Sequence, residues 1–301
     1  MNKNSNTNAF WKKTFLGLAF ISLAIVLFSC KNEKKIEVFS IPIGDTLATN
    51  SPYAFREFKW NAAHQLKMEL LMDLQLQKDS NDVLITKFID KYSKLCEDFN
   101  DKLYALPYYD SINTFYYDPK EVLPMAKAFE KKVNESGFEL RASEGMAYIG
   151  ESGAFISQNV MPFLDPLSAS FLKIFARQLD FTCCEDAGIV ITDQELVQRV
   201  YVWGKLMDQA GDSKYKNIVE NSYYGNLDLL FTGLDNTPAF DFDNEKFRQE
   251  LIDEMQIIID KYPQSRAAIE FQKYLDILKT ENYLFTEKVQ TYLKENIQQE
   301  P

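Results

Sequence analysis

The sequence predicts an all-α protein, a multi-helix bundle or a helical array of antiparallel helix pairs. Apolar residues recur at spacings of three and four along most of the chain, which is the period of one helix face. Only 11 Gly and 10 Pro occur in 301 residues, too few for a turn-rich β fold. Helix starts led by Ser, Thr or Asp, several of them followed by Pro, punctuate the stripes.

Taken in order, Ser51-Pro52 opens a first helix whose stripe is Phe55, Phe58, Ala62, Leu66, Leu70 and Leu74. A polar turn, Lys78-Asp79-Ser80-Asn81-Asp82, leads to a second stripe of Ile85, Phe88, Tyr92, Leu95, Phe99, Leu103 and Leu106. So short a turn makes the two helices antiparallel neighbours. Asp118-Pro119 opens a third, with Val122, Met125, Phe129 and Val133 inward and Gly137 past its end. Alternation on either side of Ser143-Glu144-Gly145 then predicts a small β-hairpin over about residues 138–149.

Asp165-Pro166 starts another helix, with Leu167, Phe171, Ile174 and Gln178 on one face and Leu172, Phe175 and Leu179 beside them. Thr192-Asp193-Gln194-Glu195 reads as a capping box before Leu196, Val200, Trp203 and Met207. Asp212-Ser213 restarts a helix carrying Tyr215, Val219, Tyr223, Leu227 and Leu230, closed by Gly233. Asp243 is expected to cap a helix with Phe247, Leu251, Met255, Ile258 and Tyr262. Beyond Pro263 follow Ala268, Phe271, Leu275 and Leu278, then a short last helix with Val289, Leu293 and Ile297. A soft boundary is expected near residues 143–152, although one continuous array fits as well.

Charge and cysteine content narrow the function classes. With 33 basic and 44 acidic side chains the net charge is −11, so the chain repels phosphate backbones and nucleic acid is not an expected partner. A single His removes most familiar zinc and triad chemistry, and no metal, cofactor or catalytic residue is assigned. His64 lies at the edge of the first apolar stripe and reads as structural.

At the N-terminus Lys12 and Lys13 precede an apolar run over residues 15–28, too short for a spanning helix of about 20 residues. The run ends in Leu27-Phe28-Ser29-Cys30, with Phe28 where a small residue is usual. This ending resembles the lipobox of bacterial lipoproteins. The resemblance implies cleavage before Cys30 and acyl chains, palmitate among them, on its sulfur; each buried CH₂ adds about 0.8 kcal/mol of membrane affinity. An ordinary signal peptide or an uncleaved anchor is the alternative. Residues 1–29 are then a signal peptide, 30–50 a tether and 51–301 an α-helical domain. Lys31 stands where lipoproteins retained at the inner membrane usually carry Asp, so the resemblance places the chain at the outer membrane, facing either periplasm or exterior. Cleavage removes Lys3, Lys12 and Lys13 and no acid, leaving the mature chain more acidic still. It also leaves an odd set of cysteines, Cys96, Cys183 and Cys184, which cannot all pair internally. The adjacent pair reads as buried small hydrophobes or as a vicinal disulfide.

Further motifs carry weaker pointers. Lys261-Tyr262-Pro263-Gln264-Ser265 resembles the turn between tetratricopeptide repeats, but Ile258 and Leu251 stand where small residues are wanted and no second copy appears. Asp235-Asn236-Thr237-Pro238 and Asp241-Phe242-Asp243-Asn244-Glu245 gather oxygen ligands, yet Lys246 and Ile252 break the EF-hand spacing, so capping and turn formation are expected. Ser152-Gly153-Ala154 with Gln158 and Met161-Pro162 resembles the signature of lytic transglycosylases, with Glu144 as the matching acid but too close in sequence. Tyr104, Tyr108, Tyr109, Phe115, Tyr116 and Tyr117 form either an aromatic platform or core with rim hydroxyls. Glu185-Asp186-Ala187-Gly188 and Gly233-Leu234-Asp235-Asn236-Thr237-Pro238 resemble phrases of uncharacterised helical lipoproteins.

The expected function is therefore a non-enzymatic, lipid-anchored binding or assembly module with a protein partner in the envelope. The alternatives are a glycan-acting hydrolase or lyase using Glu144 or the Glu185/Asp186 pair, and a tetratricopeptide-like accessory subunit of an outer-membrane complex.

Overall fold

The computed structural model describes residues 55–117 and 124–298. Cys30, the tether, Ser51-Pro52 and Asp118-Pro119 lie outside them. Among the described residues stand eleven α-helices and three two-stranded antiparallel sheets, an all-α array with small hairpins.

The first expected helix begins late. Residues 55–61 form a turn, with Phe55 at φ 39°, and α1 spans Ala62–Gln75. Phe55 and Phe58 are buried all the same, through an aromatic knot and not through helical phase. Phe58 stacks on Trp60 at 4.6 Å, Phe55 meets Phe129 edge-on at 5.1 Å, and the Trp60 indole donates to the Phe55 carbonyl at 3.1 Å. Such ring pairs add roughly 0.5–1.5 kcal/mol each beyond their buried area.

Helix α2 (Asn81–Tyr104) buries Ile85, Phe88, Tyr92, Phe99 and Leu103, as its spacing predicts. A helix not foreseen, α3 (Tyr109–Tyr117), follows, and α4 (Pro124–Glu135) buries Phe129 and Val133. Gly137, at φ 92°, turns the chain out of α4 into the hairpin β1 (Phe138–Ser143) and β2 (Met146–Glu151). The register pairs Leu140 with Ile149 and Ser143 with Met146, so Glu144 and Gly145 form the tip with positive φ. Tyr92 locks the hairpin to α2: its hydroxyl donates to the Gly137 carbonyl and accepts from the Ser152 amide at 3.0 Å.

Helix α5 (Gly153–Asn159) is capped by Ser152, and a 3₁₀ turn at Met161–Phe163 leads to α6 (Pro166–Asp180). Asp165 caps α6 through the amides of Leu167 and Ser168, and it accepts from Asn81 at 2.7 Å, tying the starts of α2 and α6 together. Burial alone would raise its pKa, but these hydrogen bonds outweigh it and hold the carboxyl below the usual range. Asp165→Ala is expected to lower stability by about 1–2 kcal/mol. A urea titration checks this; an unchanged midpoint would mean the cap contributes nothing.

The C-terminal half continues with α7 (Asp193–Ala210), α8 (Lys216–Thr232), α9 (Gln249–Lys261), α10 (Arg266–Thr280) and α11 (Glu287–Asn296). Trp203, Val219, Met255, Phe271 and Tyr274 are fully buried among them. Ser265 caps α10 after the Pro263 turn, so α9 and α10 form a tight helix pair. Asp243 does not cap α9. Asp241 instead accepts from the amides of Asp243 and Asn244, which makes an Asx-type turn, and α9 starts only at Gln249.

Two miniature hairpins were not foreseen. β3 (Cys184–Glu185) pairs with β4 (Gly188–Ile189), and β5 (Gly233–Leu234) with β6 (Thr237–Pro238). Their tips dock: the Asn236 amide donates to the Ala187 carbonyl at 2.9 Å, and the Ile189 amide to Thr237 Oγ1 at 3.1 Å. The segments at residues 185–188 and 233–238 thus form one clasp across the fold.

Candidate functional site

A groove of about 550 Å³ lies between α6 and α7. The two helices run side by side because the chain between them, residues 181–192, is short and folds into the β3–β4 hairpin. The buried side of α6 is Ser168, Phe171, Leu172 and Ala176. Ile174 and Gln178, expected on the same face as Phe171, are half-buried at the edge of that face and line the groove. Opposite stand Gln198, Val202, Lys205, Leu206 and Gln209 of α7.

Four cations and one acid meet here: Lys173, Arg177, Arg199 and Lys205 against Glu195. Glu195 is the N3 residue of the Thr192-led cap, and Thr192 Oγ1 accepts its amide at 3.1 Å. Its carboxylate is taken up by arginines. Arg177 grips it with two bonds, Nε to Oε1 at 3.1 Å and Nη2 to Oε2 at 2.8 Å, and Arg199 Nε approaches Oε1 at 3.4 Å. The Arg199 side chain is only 5% exposed and also donates to the Phe181 carbonyl. The hydrogen bond from Arg177, then the charges of both arginines, hold Glu195 below the ordinary carboxylate range against the opposing effect of burial.

Glu195 thus neutralises one arginine, and the groove keeps a surplus of positive charge inside a chain of net charge −11. Lys173 and Lys205 are exposed and have no carboxylate partner among the described residues. Gln178 adds a donor: its Nε2 is shielded from solvent and has no acceptor. Arg177 also lies over the exposed Phe181 ring at 5.3 Å. None of these residues was singled out from sequence as a site.

The residues that were singled out lie elsewhere. Glu144 is exposed at the β1–β2 tip, Ser152 caps α5, Gln158 is exposed, and the Gly153 amide donates to Asp180 at 2.7 Å. Glu185 lines a separate cleft of about 440 Å³ with Arg141, Tyr148 and Asp180, while Asp186 sits on the turn, its carbonyl held by Asn236. Burial raises the Asp180 pKa. Among the described residues no cluster of three or more His, Cys, Asp or Glu is placed to hold a metal ion.

Cys96, Cys183 and Cys184 are free thiols. Burial pushes both Cys96 and Cys183 up to about 12, so both stay protonated at neutral pH, and Cys96 donates to the Ile149 carbonyl. His64 donates to the Glu135 carbonyl at 2.9 Å and packs edge-on against Phe155. Tyr109 donates to the Ala147 carbonyl at 3.0 Å, and Tyr108 packs against Phe55, so this part of the aromatic cluster serves the core. The side chains of Tyr116 and Tyr117 lie outside the described residues.

Comparison with family models, curated proteins and solved structures returns no match. No helix among the described residues is long and apolar enough to cross a membrane.

Proposed function

We propose that this chain is a lipid-anchored, non-enzymatic binding or assembly module of the bacterial cell envelope, held at the outer membrane by acyl chains on Cys30. The observation that carries the anchor is the order Lys12-Lys13, apolar run, Leu27-Phe28-Ser29-Cys30. The binding role is supported by the α6–α7 groove, whose cations and apolar wall form a recess in which the carboxylate of Glu195 is held by two arginines. Growth on labelled palmitate is expected to label the wild-type chain and leave Cys30→Ala unlabelled. Equal labelling of both would remove Cys30 as the acylation site.

The second reading, a glycan-acting enzyme, draws on one observation: Glu185 and Asp180 line a common cleft. Asp180 is engaged by the Gly153 amide and Arg141 approaches it at 3.9 Å, which suits a structural tie better than a free acid. Incubation with purified peptidoglycan separates the readings. The binding reading expects no soluble fragments, and fragments lost in Glu185→Gln would favour the enzyme.

A further inference from the structure

The α6–α7 groove combines features that together specify an occupant. Its cations are spread along its length and are not gathered at one point. Lys173 lies one helical turn from Arg177, and Lys205 lies six residues beyond Arg199, about 9 Å along α7. Between them lie the half-buried Ile174 and Val202, with the buried Leu206 beneath them. The α7 wall from Glu195 to Gln209 is about 21 Å long, room for nearly four turns of a helix. Gln178 lines the same recess, with its Nε2 shielded from solvent and without a hydrogen-bond partner.

We propose that the α6–α7 groove docks an acidic, amphipathic segment of a protein partner, its carboxylates on Lys173 and Lys205 and its aliphatic face on Ile174 and Val202. The inference rests on the binding-module reading and names the partner's chemistry. Helix-in-groove recognition needs an apolar floor flanked by charges of the opposite sign, and both are present. Arg177 and Arg199 are occupied by Glu195, so the two unpaired lysines supply the attraction. A compact anion such as phosphate would gain nothing from Ile174 and Val202. A flat bilayer of anionic lipid would also meet the acidic surface around the recess of a chain of net charge −11, whereas a single acidic segment can lie within the recess.

The test uses the full chain in neutral detergent, titrated with a fluorescent helical peptide of about four turns bearing Glu on one face and Leu on the other. Controls are the same peptide with Lys in place of Glu, short-chain phosphatidylglycerol, and inorganic phosphate. The acidic peptide is expected to bind, more weakly as salt rises, and the Lys peptide is not. Lys173→Glu/Lys205→Glu is expected to weaken binding about tenfold or more. Lys94→Glu/Lys127→Glu, an equal charge change at exposed sites outside the groove, is expected to leave it near wild type. Absence of peptide binding, equal binding by the groove variant and wild type, or lysine-dependent binding of phosphatidylglycerol or phosphate alone would each overturn the assignment. Acylation at Cys30 is read separately, so failure here leaves the anchor standing.

Discussion

Glu195→Ala is expected to lower the folding free energy by about 3–5 kcal/mol, the cost of stranding a buried charge. Arg199 is the reason. Its side chain is 5% exposed, and without Glu195 it keeps, among the described residues, the Phe181 carbonyl. Loss of the two-pronged Arg177 bond adds less, because Arg177 is 60% exposed and water replaces its partner. Glu195→Ala combined with Arg199→Leu is therefore expected to recover much of the loss, since a buried pair replaced as a unit is often near neutral. The same carboxylate gives a pH signature. Its folded-state pKa is lowered, so its contribution is complete above the unfolded value near 4.3 and fades as pH falls through the folded one. Urea midpoints measured from pH 7 downward are expected to converge for wild type and Glu195→Gln at acid pH. Parallel curves would show that Glu195 contributes nothing through its charge.

Gly153→Ala is the second large effect, expected at about 3 kcal/mol or more, at or beyond the upper end for overpacking a dense contact. A Cβ there would fall 2.0 Å from the Ala176 carbonyl oxygen and 2.5 Å from Asp180 Oδ1. The first of these is backbone and cannot swing aside. Relief requires α5 to move off α6, which also breaks the bond from the Gly153 amide to Asp180. Gly225 gives the opposite sign from the same substitution. It is exposed on α8, and a Cβ there meets nothing within 4 Å. Gly225→Ala is thus expected to stabilise by about 0.5–1 kcal/mol through helix propensity. Thermal melts of the pair check the account, and similar shifts in the same direction would contradict it.

Much of the fold was legible because it depends on local pattern. The stripe from Ile85 to Leu103, the Asp165-Pro166 start and the alternation around Ser143-Glu144-Gly145 each reappear as α2, α6 and the β1–β2 hairpin. Where the reading failed, burial arose without helical phase. Phe55 and Phe58 sit at spacings that suit a helix, yet a turn buries them by stacking on Trp60 and Phe129. Helix α3 was hidden because its aromatic run served equally well as a platform or as core. The miniature hairpins are held by each other, through Asn236 and Thr237, and a tie across about fifty residues leaves no local trace.

The candidate site was illegible for a similar reason. Lys173 and Arg177 on α6, and Lys205 on α7, belong to no motif in the sequence. Only the packing of α6 beside α7 brings them into one groove. Arg199 left one clue: it lies three residues from Leu196, beside Val200 on the buried side of α7. A charge at such a position implies a partner, and Glu195 is one residue before that stripe. Glu195 was read as the far half of a capping box, an assignment that obscured its pairing with both arginines.

The anchor at Cys30 is the claim on which the envelope reading turns, and intact-mass analysis of membrane-fraction protein tests it most directly. Wild type is expected to lack its first 29 residues and to carry added acyl mass, and Cys30→Ala to lose both changes together. A full-length, unacylated wild-type chain would contradict the account.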